Sequence, residues 1–162
     1  MHHLRWLAIA ALALACAGTP PPESGIASPP AGARYAVVEV ALAPEAASGL
    51  GDRARAQLLT QVRQSARDWL EQGGRLASDG ECSLLVSIES VHVRSSWTAW
   101  LFAWLARPDR IEAQVQILRG LDRVASGPVR VESELAGYSW RDSDARLARL
   151  ARRLGHRIVE AL

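Results

Sequence analysis

The chain has 162 residues, which fits a single domain, and 49% of them are apolar, which is enough for one hydrophobic core. All 19 basic residues are arginine and stand against 17 acidic residues, so the formal net charge is only +2. This balance argues against nucleic acid as a partner, because nucleic-acid binding needs a strongly basic surface.

The N-terminal segment is typical of an export signal. Arg5 supplies a short charged region, and an apolar stretch of about ten residues follows over residues 6–15. That stretch is too short to span a bilayer, which takes roughly 20 apolar residues. It ends in small residues followed by a cysteine, Cys16. An ordinary signal peptide cleaved after Ala15 or Gly18 is the alternative interpretation.

Residues 13–16 resemble the processing site of bacterial lipoproteins, whose signals end in a Leu-Ala-Gly/Ala-Cys sequence; Ala13 stands where leucine is usual. The resemblance implies that residues 1–15 are removed and that Cys16 carries diacylglyceryl and N-acyl groups, which hold the protein to a membrane. It also implies the outer membrane, on the side facing the periplasm, because Ala17 and not aspartate follows the cysteine. Cys82 then has no partner within the chain, and we expect a small buried apolar residue there.

Residues 17–33 contain five prolines among glycine, serine and alanine, a composition that favours an extended polyproline-like conformation. We therefore expect residues 16–33 to be the lipidated cysteine followed by a tether. At about 3.1 Å per residue, the tether would hold the domain at most roughly 50 Å from the lipid head groups. The folded domain is then predicted to span residues 34–162.

The predicted domain begins with a strand over residues 34–42, where apolar and β-branched residues partly alternate. Its apolar face is predicted to consist of Ala36, Val38, Val40 and Leu42. A loop rich in small residues is predicted over 44–51. Apolar residues at helical spacing then predict a helix over 52–72, which ends at Gly73-Gly74.

Three further strands are predicted. The first covers residues 82–94, with a β-bulge near Ser90 where the phase of the apolar residues shifts. The second covers residues 110–118, where apolar and polar residues alternate cleanly. A turn over 122–127 and a last strand over 129–138 complete a predicted hairpin.

A C-terminal helix, capped by Asp142 or Ser143, is predicted to close the domain. Strands with one polar and one apolar face are satisfied if both helices pack on the same side of the sheet. We therefore predict an α+β fold, a two-layer sandwich of a four-stranded sheet with two helices on one face, in the order β-α-β-β-β-α. The apolar face of the last helix is predicted to consist of Leu147, Leu150, Leu154, Ile158 and Leu162.

The Trp-rich segment, residues 97–105, is the one anomaly of the exported chain. It holds three of the six tryptophans and the only phenylalanine. Ser95 or Ser96 could cap a helix that ends before Pro108, and the apolar surface of such a helix would extend most of the way round. Indole rings favour the membrane–water interface, so a membrane or protein contact surface is predicted. Its predicted residues are Trp97, Trp100, Leu101, Phe102, Trp104 and Leu105.

Two other interpretations of the Trp-rich segment stay open. It could fold back on the domain as ordinary core. It could also form a lid over an apolar ligand.

The last helix carries a row of arginines at three- and four-residue spacing, opposite its leucines. We expect a solvated polar face, although such a row could also meet the phosphates of lipid head groups. The row consists of Arg146, Arg149, Arg153 and Arg157, with Arg152 beside them.

The exported chain shows no catalytic constellation. An enzyme would require a nucleophile with a base, a metal cluster or paired carboxylates in a cleft. The only histidines after residue 15 are His92 and His156, on separate predicted elements, so no metal site is expected. The glycines near Gly49 and Gly51 lack the Lys-Ser/Thr of a phosphate-binding loop. We therefore expect neither catalysis nor a cofactor.

The lipoprotein-like signal, the order of elements and the pattern over residues 86–131 resemble small uncharacterised lipoproteins of Gram-negative bacteria. The resemblance includes Arg94-Ser95-Ser96, the strand over 111–118, Asp122 and Ser126-Gly127. It implies a non-enzymatic, lipid-anchored envelope protein that acts by contact with a membrane, an envelope protein or a second copy of itself. The alternative is an auxiliary lipoprotein of an envelope lipid or solute transport system that binds an apolar ligand.

Overall fold

The computed structural model describes residues 25–94, 108–133 and 142–162. The strands are β1 (Tyr35–Leu42), β2 (Cys82–His92), β3 (Arg110–Arg119) and β4 (Asp122–Glu132). The helices are α1 (Pro44–Ser48), α2 (Asp52–Gln72) and α3 (Ser143–Glu160). The predicted α+β class and the order β-α-β-β-β-α are confirmed, with the short helix α1 added after β1.

The four strands form one sheet in the order β1-β2-β3-β4. β1 and β2 are parallel because α2 carries the chain back across the sheet, whereas β2, β3 and β4 are successively antiparallel. Both long helices pack on the same face, α2 against β1 and α3 against β3 and β4, and they also pack on each other. The core therefore lies between the sheet and this helical pair. Its fully buried side chains include Leu58, Val62, Leu84, Ile88, Ile117 and Leu154.

Helix α1 lies where a loop was predicted. Pro44 occupies the first turn, where its missing N–H would have no helical partner in any case. The Ser48 hydroxyl donates a hydrogen bond to the Glu45 carbonyl at 2.7 Å and closes the single turn. Ala46 is buried, so a composition of small residues here supports a short helix packed on the domain.

Irregular register occurs in β1 and β2. The predicted bulge in β2 is confirmed, since its pairing with β3 shifts between Ile88 and Ser90. The pairing of β1 with β2 also shifts, between Tyr35 and Val37. Tyr35, which is not a member of the predicted apolar face, is fully buried in the core next to this shift. Burial raises the pKa of the Tyr35 hydroxyl, although the nearby Arg75 guanidinium opposes that change.

The hairpin of β3 and β4 is confirmed, but its turn is not where the sequence predicted it. β4 already begins at Asp122, and the chain reverses at Gly120, whose φ of +63° suits a tight turn. Gly127 and Pro128 resemble breakers in the sequence but lie inside β4. Proline is tolerated there because β4 is an edge strand.

Residues 25–27 run along the outer edge of β4. The amides of Gly25 and Ala27 donate hydrogen bonds to the carbonyls of Pro128 and Ser126 at 3.0 and 3.2 Å. This close approach requires a glycine at position 127, since a Cβ there would lie 2.0 Å from the Gly25 carbonyl oxygen. Ile26 is buried beside this pairing. Part of the predicted tether therefore packs against the sheet.

The two long helices begin and end close to their predicted positions. α2 spans the predicted residues and is followed by Gly74 at a φ of +65°. The Asp142 carboxylate caps α3 by accepting a hydrogen bond from the Ala145 amide at 2.7 Å. Cys82 is buried in the core, as expected. None of the helices in the described ranges is long and apolar enough to cross a membrane.

Contact between the helices depends on Gly155. A Cβ at this position would lie 2.6 Å from the Ser65 Cβ and 2.8 Å from the Ala66 amide nitrogen. The Ser65 hydroxyl donates a hydrogen bond to the Arg152 carbonyl at 2.9 Å across the same contact. The helices approach closely because position 155 carries no side chain.

We expect Gly155→Ala to lower the free energy of unfolding by about 1–3 kcal/mol, since the added methyl group overpacks the contact. In an open helix the same change would stabilise the protein by roughly 0.5–1 kcal/mol. Gly49→Ala is the matched control, because nothing lies within 4 Å of a Cβ there. Urea unfolding monitored by circular dichroism measures both variants. A stabilised Gly155→Ala protein would contradict this packing.

Candidate contact surface and its buried base

All residues of the predicted sites lie outside the described ranges: Cys16, Trp97, Trp100, Leu101, Phe102, Trp104 and Leu105. The structure does describe the two points where the Trp-rich segment joins the domain. These are Arg94, directly after β2, and Asp109, directly before β3. These two residues and their contacts form the base of the Trp-rich segment, and the candidate site is described from this base.

Arg94 and Asp109 form a buried, hydrogen-bonded ion pair at this base. One carboxylate oxygen of Asp109, Oδ1, accepts hydrogen bonds from the Arg94 backbone amide at 2.9 Å and from its Nε at 3.0 Å. Asp109 is fully buried, and the side chain of Arg94 is only 5% exposed. The ends of the segment that contains the tryptophans are thus held together at one point.

Arg146 completes a buried ion cluster, which consists of Arg94, Asp109 and Arg146. Its Nε donates to the other carboxylate oxygen of Asp109, Oδ2, at 2.9 Å, and its Nη2 donates to the Arg94 carbonyl. Its side chain is 2% exposed. The expectation of a solvated arginine row is therefore wrong for Arg146, whose charge is paired inside the domain. The rest of the row, Arg149, Arg152, Arg153 and Arg157, is exposed as expected.

A second connection, residues 134–141, begins at the same cluster. The Ser133 amide donates to the Asp109 carbonyl at 2.8 Å, and the Asp109 amide donates to the Ser133 hydroxyl at 3.2 Å. Arg146 lies in the first turn of α3, just after this connection. The cluster therefore joins the end of β2, the start of β3, the end of β4 and the start of α3.

The cluster has an electrostatic cost. Two guanidinium groups and a carboxylate are withdrawn from water, and each removal costs several kcal/mol in a typical protein interior. Among the described residues, moreover, the buried Arg94 Nη1 has no hydrogen-bond partner. Both Asp109 oxygens accept from arginines, so this carboxylate is fully used for binding its neighbours.

Residues 25–27 run along β4 towards one end of the sheet. They are antiparallel to β4, so that from residue 27 back to Gly25 they run in the direction from Ser126 towards Glu132. Glu132 pairs with Arg110, and Arg110 pairs with His92. This is the end of the sheet that carries the ion cluster. Traced towards the N-terminus, residues 25–27 therefore run to the end of the sheet at which the Trp-rich segment joins the domain.

The other residues singled out in the sequence have ordinary surroundings. His92 is exposed at the end of β2. His156 lies on α3, where its ring centroid is 4.0 Å from that of Trp69. Within residues 25–94, 108–133 and 142–162, no group of three His, Cys, Asp or Glu side chains could hold a metal ion.

Sequence reasoning missed Asp109, because a single aspartate between a proline and a strand carries no periodic signal. The burial of Arg146, by contrast, had a signal. It lies four residues before Leu150, on the same helical row as Leu154 and Ile158. A charged residue on an apolar row is a candidate for a buried ion pair.

Comparisons with known proteins give a fold relationship. No protein-family model and no curated protein matches the chain. The solved structure of XCC0632 from Xanthomonas campestris, of the family DUF330, matches with a TM-score of 0.52 and 13% identity, covering 78% of this chain and 81% of that one. A PelC variant from Paraburkholderia phytofirmans, described as a dodecamer, matches with a TM-score of 0.47 and 16% identity, covering 80% and 90%. At these identities the likeness to the Xanthomonas protein shows the fold alone.

We expect Asp109→Asn to lower the free energy of unfolding by about 3–5 kcal/mol, because two buried guanidinium groups lose their counter-charge. Asp79→Asn is the matched control. It breaks the exposed pair with Arg34, whose N–O distance is 2.9 Å, and should cost about 0–1 kcal/mol. Chemical unfolding of both variants measures the difference. Equal, small effects would show that the cluster does not hold this end of the domain.

Proposed function

We propose that this protein is a non-enzymatic, lipid-anchored protein of the outer membrane that faces the periplasm and acts by contact through its Trp-rich segment. The observation that carries the proposal is the shared direction of two features. Traced back from residue 27 to Gly25, the chain runs towards the same end of the sheet at which Arg94 and Asp109 hold the ends of the Trp-rich segment. An anchor on Cys16 would draw that end towards the lipid surface.

The length of the intervening chain supports this orientation. Nine residues, 16–24, separate the domain from the position of the acyl groups, and they span at most about 30 Å when fully extended. This is shorter than the roughly 50 Å expected for a tether that continues to residue 33. A short connection that leaves from one edge limits how far the domain can turn away.

The chemistry of the Trp-rich segment suits a contact at the lipid surface. Indole rings combine an apolar body with an N–H donor and favour the interfacial region. Two or more acyl chains already anchor a protein stably, so the tryptophans are not needed for retention. Their role in this proposal is to orient the domain and to present it to a partner in the same membrane, either an envelope protein or a second copy.

A binding role also agrees with the way the base is built. The Asp109 carboxylate is buried, and each of its oxygens accepts a hydrogen bond from an arginine. Both oxygens are therefore engaged in the contacts that hold the ends of the Trp-rich segment. An acid or base for catalysis needs a free position towards a substrate. The cluster supports a positioning function for the Trp-rich segment.

We expect Cys16→Ser to move the protein from the membrane fraction to the soluble fraction, or to leave it unprocessed, because the thioether-linked lipid cannot form. Fractionation of cells after a high-salt wash, with detection of the protein, makes the measurement. Unchanged membrane association together with loss of the signal peptide would contradict the anchor.

The contact surface is tested with the chain from residue 16 onward that carries serine at position 16 and therefore no acyl group. Replacement of Trp97, Trp100 and Trp104 by alanine should reduce its binding to vesicles of phosphatidylethanolamine and phosphatidylglycerol by about ten-fold or more, since three interfacial anchors are lost. The melting temperature should change little. Vesicle sedimentation and calorimetry measure the two quantities.

The matched control removes exposed apolar side chains at the opposite end of the sheet. Leu121 is 99% exposed and Val124 is 37% exposed, and replacing both by alanine should leave vesicle binding unchanged. Unfolding of the tryptophan variant would instead assign the segment to the core. Lipid that co-purifies with the wild-type domain and is lost from the variant would favour the apolar-ligand alternative.

A further inference from the structure

A groove of about 610 Å³ lies between α2 and α3 and is open to solvent. Its volume falls within the range of small-molecule sites, roughly 300–1,000 Å³. None of the ion-cluster residues, Arg94, Asp109 and Arg146, lines it. Its side chains come from the two long helices, which Gly155 holds in close contact.

One wall of the groove carries an exposed aromatic ring. Trp69 is 41% exposed, and the ring of His156 lies against it at an angle of 33°. His156 Nε2 lies 3.5 Å from a carboxylate oxygen of Glu160 on the next turn, which helps to fix the imidazole. A large aromatic side chain left half-exposed beside polar groups is suited to stacking against a ligand.

The opposite wall is positively charged. Arg149, Arg152 and Arg153 line the groove from α3, whereas Asp68 is its only acidic lining residue in the described part of the chain. Arg153 also donates to the Glu132 carbonyl of β4 at 3.3 Å, so its guanidinium is partly engaged outside the groove. Guanidinium groups recognise carboxylates and phosphates through paired hydrogen bonds. The groove therefore favours an anion.

A third feature is a buried acceptor without a donor. Within the described part of the chain, Gln61 Oε1 is buried and has no hydrogen-bond partner, and its residue lines the groove. An unsatisfied buried acceptor destabilises the protein and calls for an explanation, such as a ligand that supplies the missing donor. A ligand hydroxyl supplies that donor when the Gln61 side chain turns its amide oxygen towards the groove. Thr60, Gln64 and Gln72 add further polar groups along the same wall.

We infer that the groove binds an anionic saccharide. The C–H face of a sugar ring stacks on Trp69, its carboxylate or phosphate binds Arg152, and one of its hydroxyls donates to Gln61 Oε1. Inorganic phosphate would use the arginines alone, and an apolar ligand would use Trp69 alone. A sugar acid matches all three features, and the inference does not depend on the lipid anchor.

Titration calorimetry with the lipidated protein in detergent micelles tests this site. The probes are a tetrasaccharide of galacturonate, the neutral tetrasaccharide of glucose and inorganic phosphate. The acidic tetrasaccharide should bind about ten-fold or more tightly than either of the others. Absence of binding, or equal binding of the acidic and neutral sugars, would overturn the inference.

Variants assign the binding to the groove. Trp69→Ala and Arg152→Gln should each weaken acidic-sugar binding by about ten-fold, while Arg123→Gln, an exposed arginine on β4, should leave it unchanged. Gln61→Leu should weaken binding without lowering the melting temperature, because it removes an unsatisfied acceptor. If Trp69→Ala has no effect and phosphate binds as tightly as the tetrasaccharide, the groove is a simple arginine cluster and the inference fails.

Discussion

The buried interaction of Asp109 with Arg94 and Arg146 is the constraint on which the end of the domain that carries the Trp-rich segment depends. Apolar side chains of similar volume would often hold a core as well, because desolvation offsets much of the attraction within a buried ion pair. Unlike apolar contacts, the hydrogen bonds of the cluster fix the relative positions of the elements that they join. Each carboxylate oxygen accepts from a defined guanidinium, and the surrounding backbone groups join β2, β3, β4 and α3. The Trp-rich segment thus starts from a fixed base on an otherwise simple sandwich.

The pairing of residues 25–27 with the edge of β4 relates the ion cluster to the direction in which these residues run. Residues 25–27 are held there because Gly127 leaves room for the backbone of Gly25. Traced from residue 27 back to Gly25, they run towards the ion cluster and not towards the Gly120 turn at the other end. The lipoprotein-like signal, the pairing of residues 25–27 with β4 and the short connection to Cys16 together support the proposed orientation of the domain. The groove between α2 and α3 lies on the helical layer.

Much of the fold could be predicted from the sequence, because its signals are local and periodic. The apolar rows of α2 and α3, the alternation in β3 and the phase shift near Ser90 all had direct counterparts. The errors arose where a distant contact decides the outcome. Gly127 looked like part of a turn because the chain that packs on it lies about 100 residues away. Asp109 was missed and Arg146 was misplaced because their pairing depends on three separate elements.

The orientation of the domain relative to the membrane is the central claim of this account, and spin labels test it most directly. Labels would be placed on cysteines introduced at His92, beside the ion cluster, and at Leu121, at the opposite end of the sheet; Cys82 is buried and should not react. With the lipidated protein on vesicles that contain nickel-chelating lipids, the account predicts much stronger paramagnetic relaxation at position 92 than at position 121. Equal relaxation, or stronger relaxation at position 121, would contradict it.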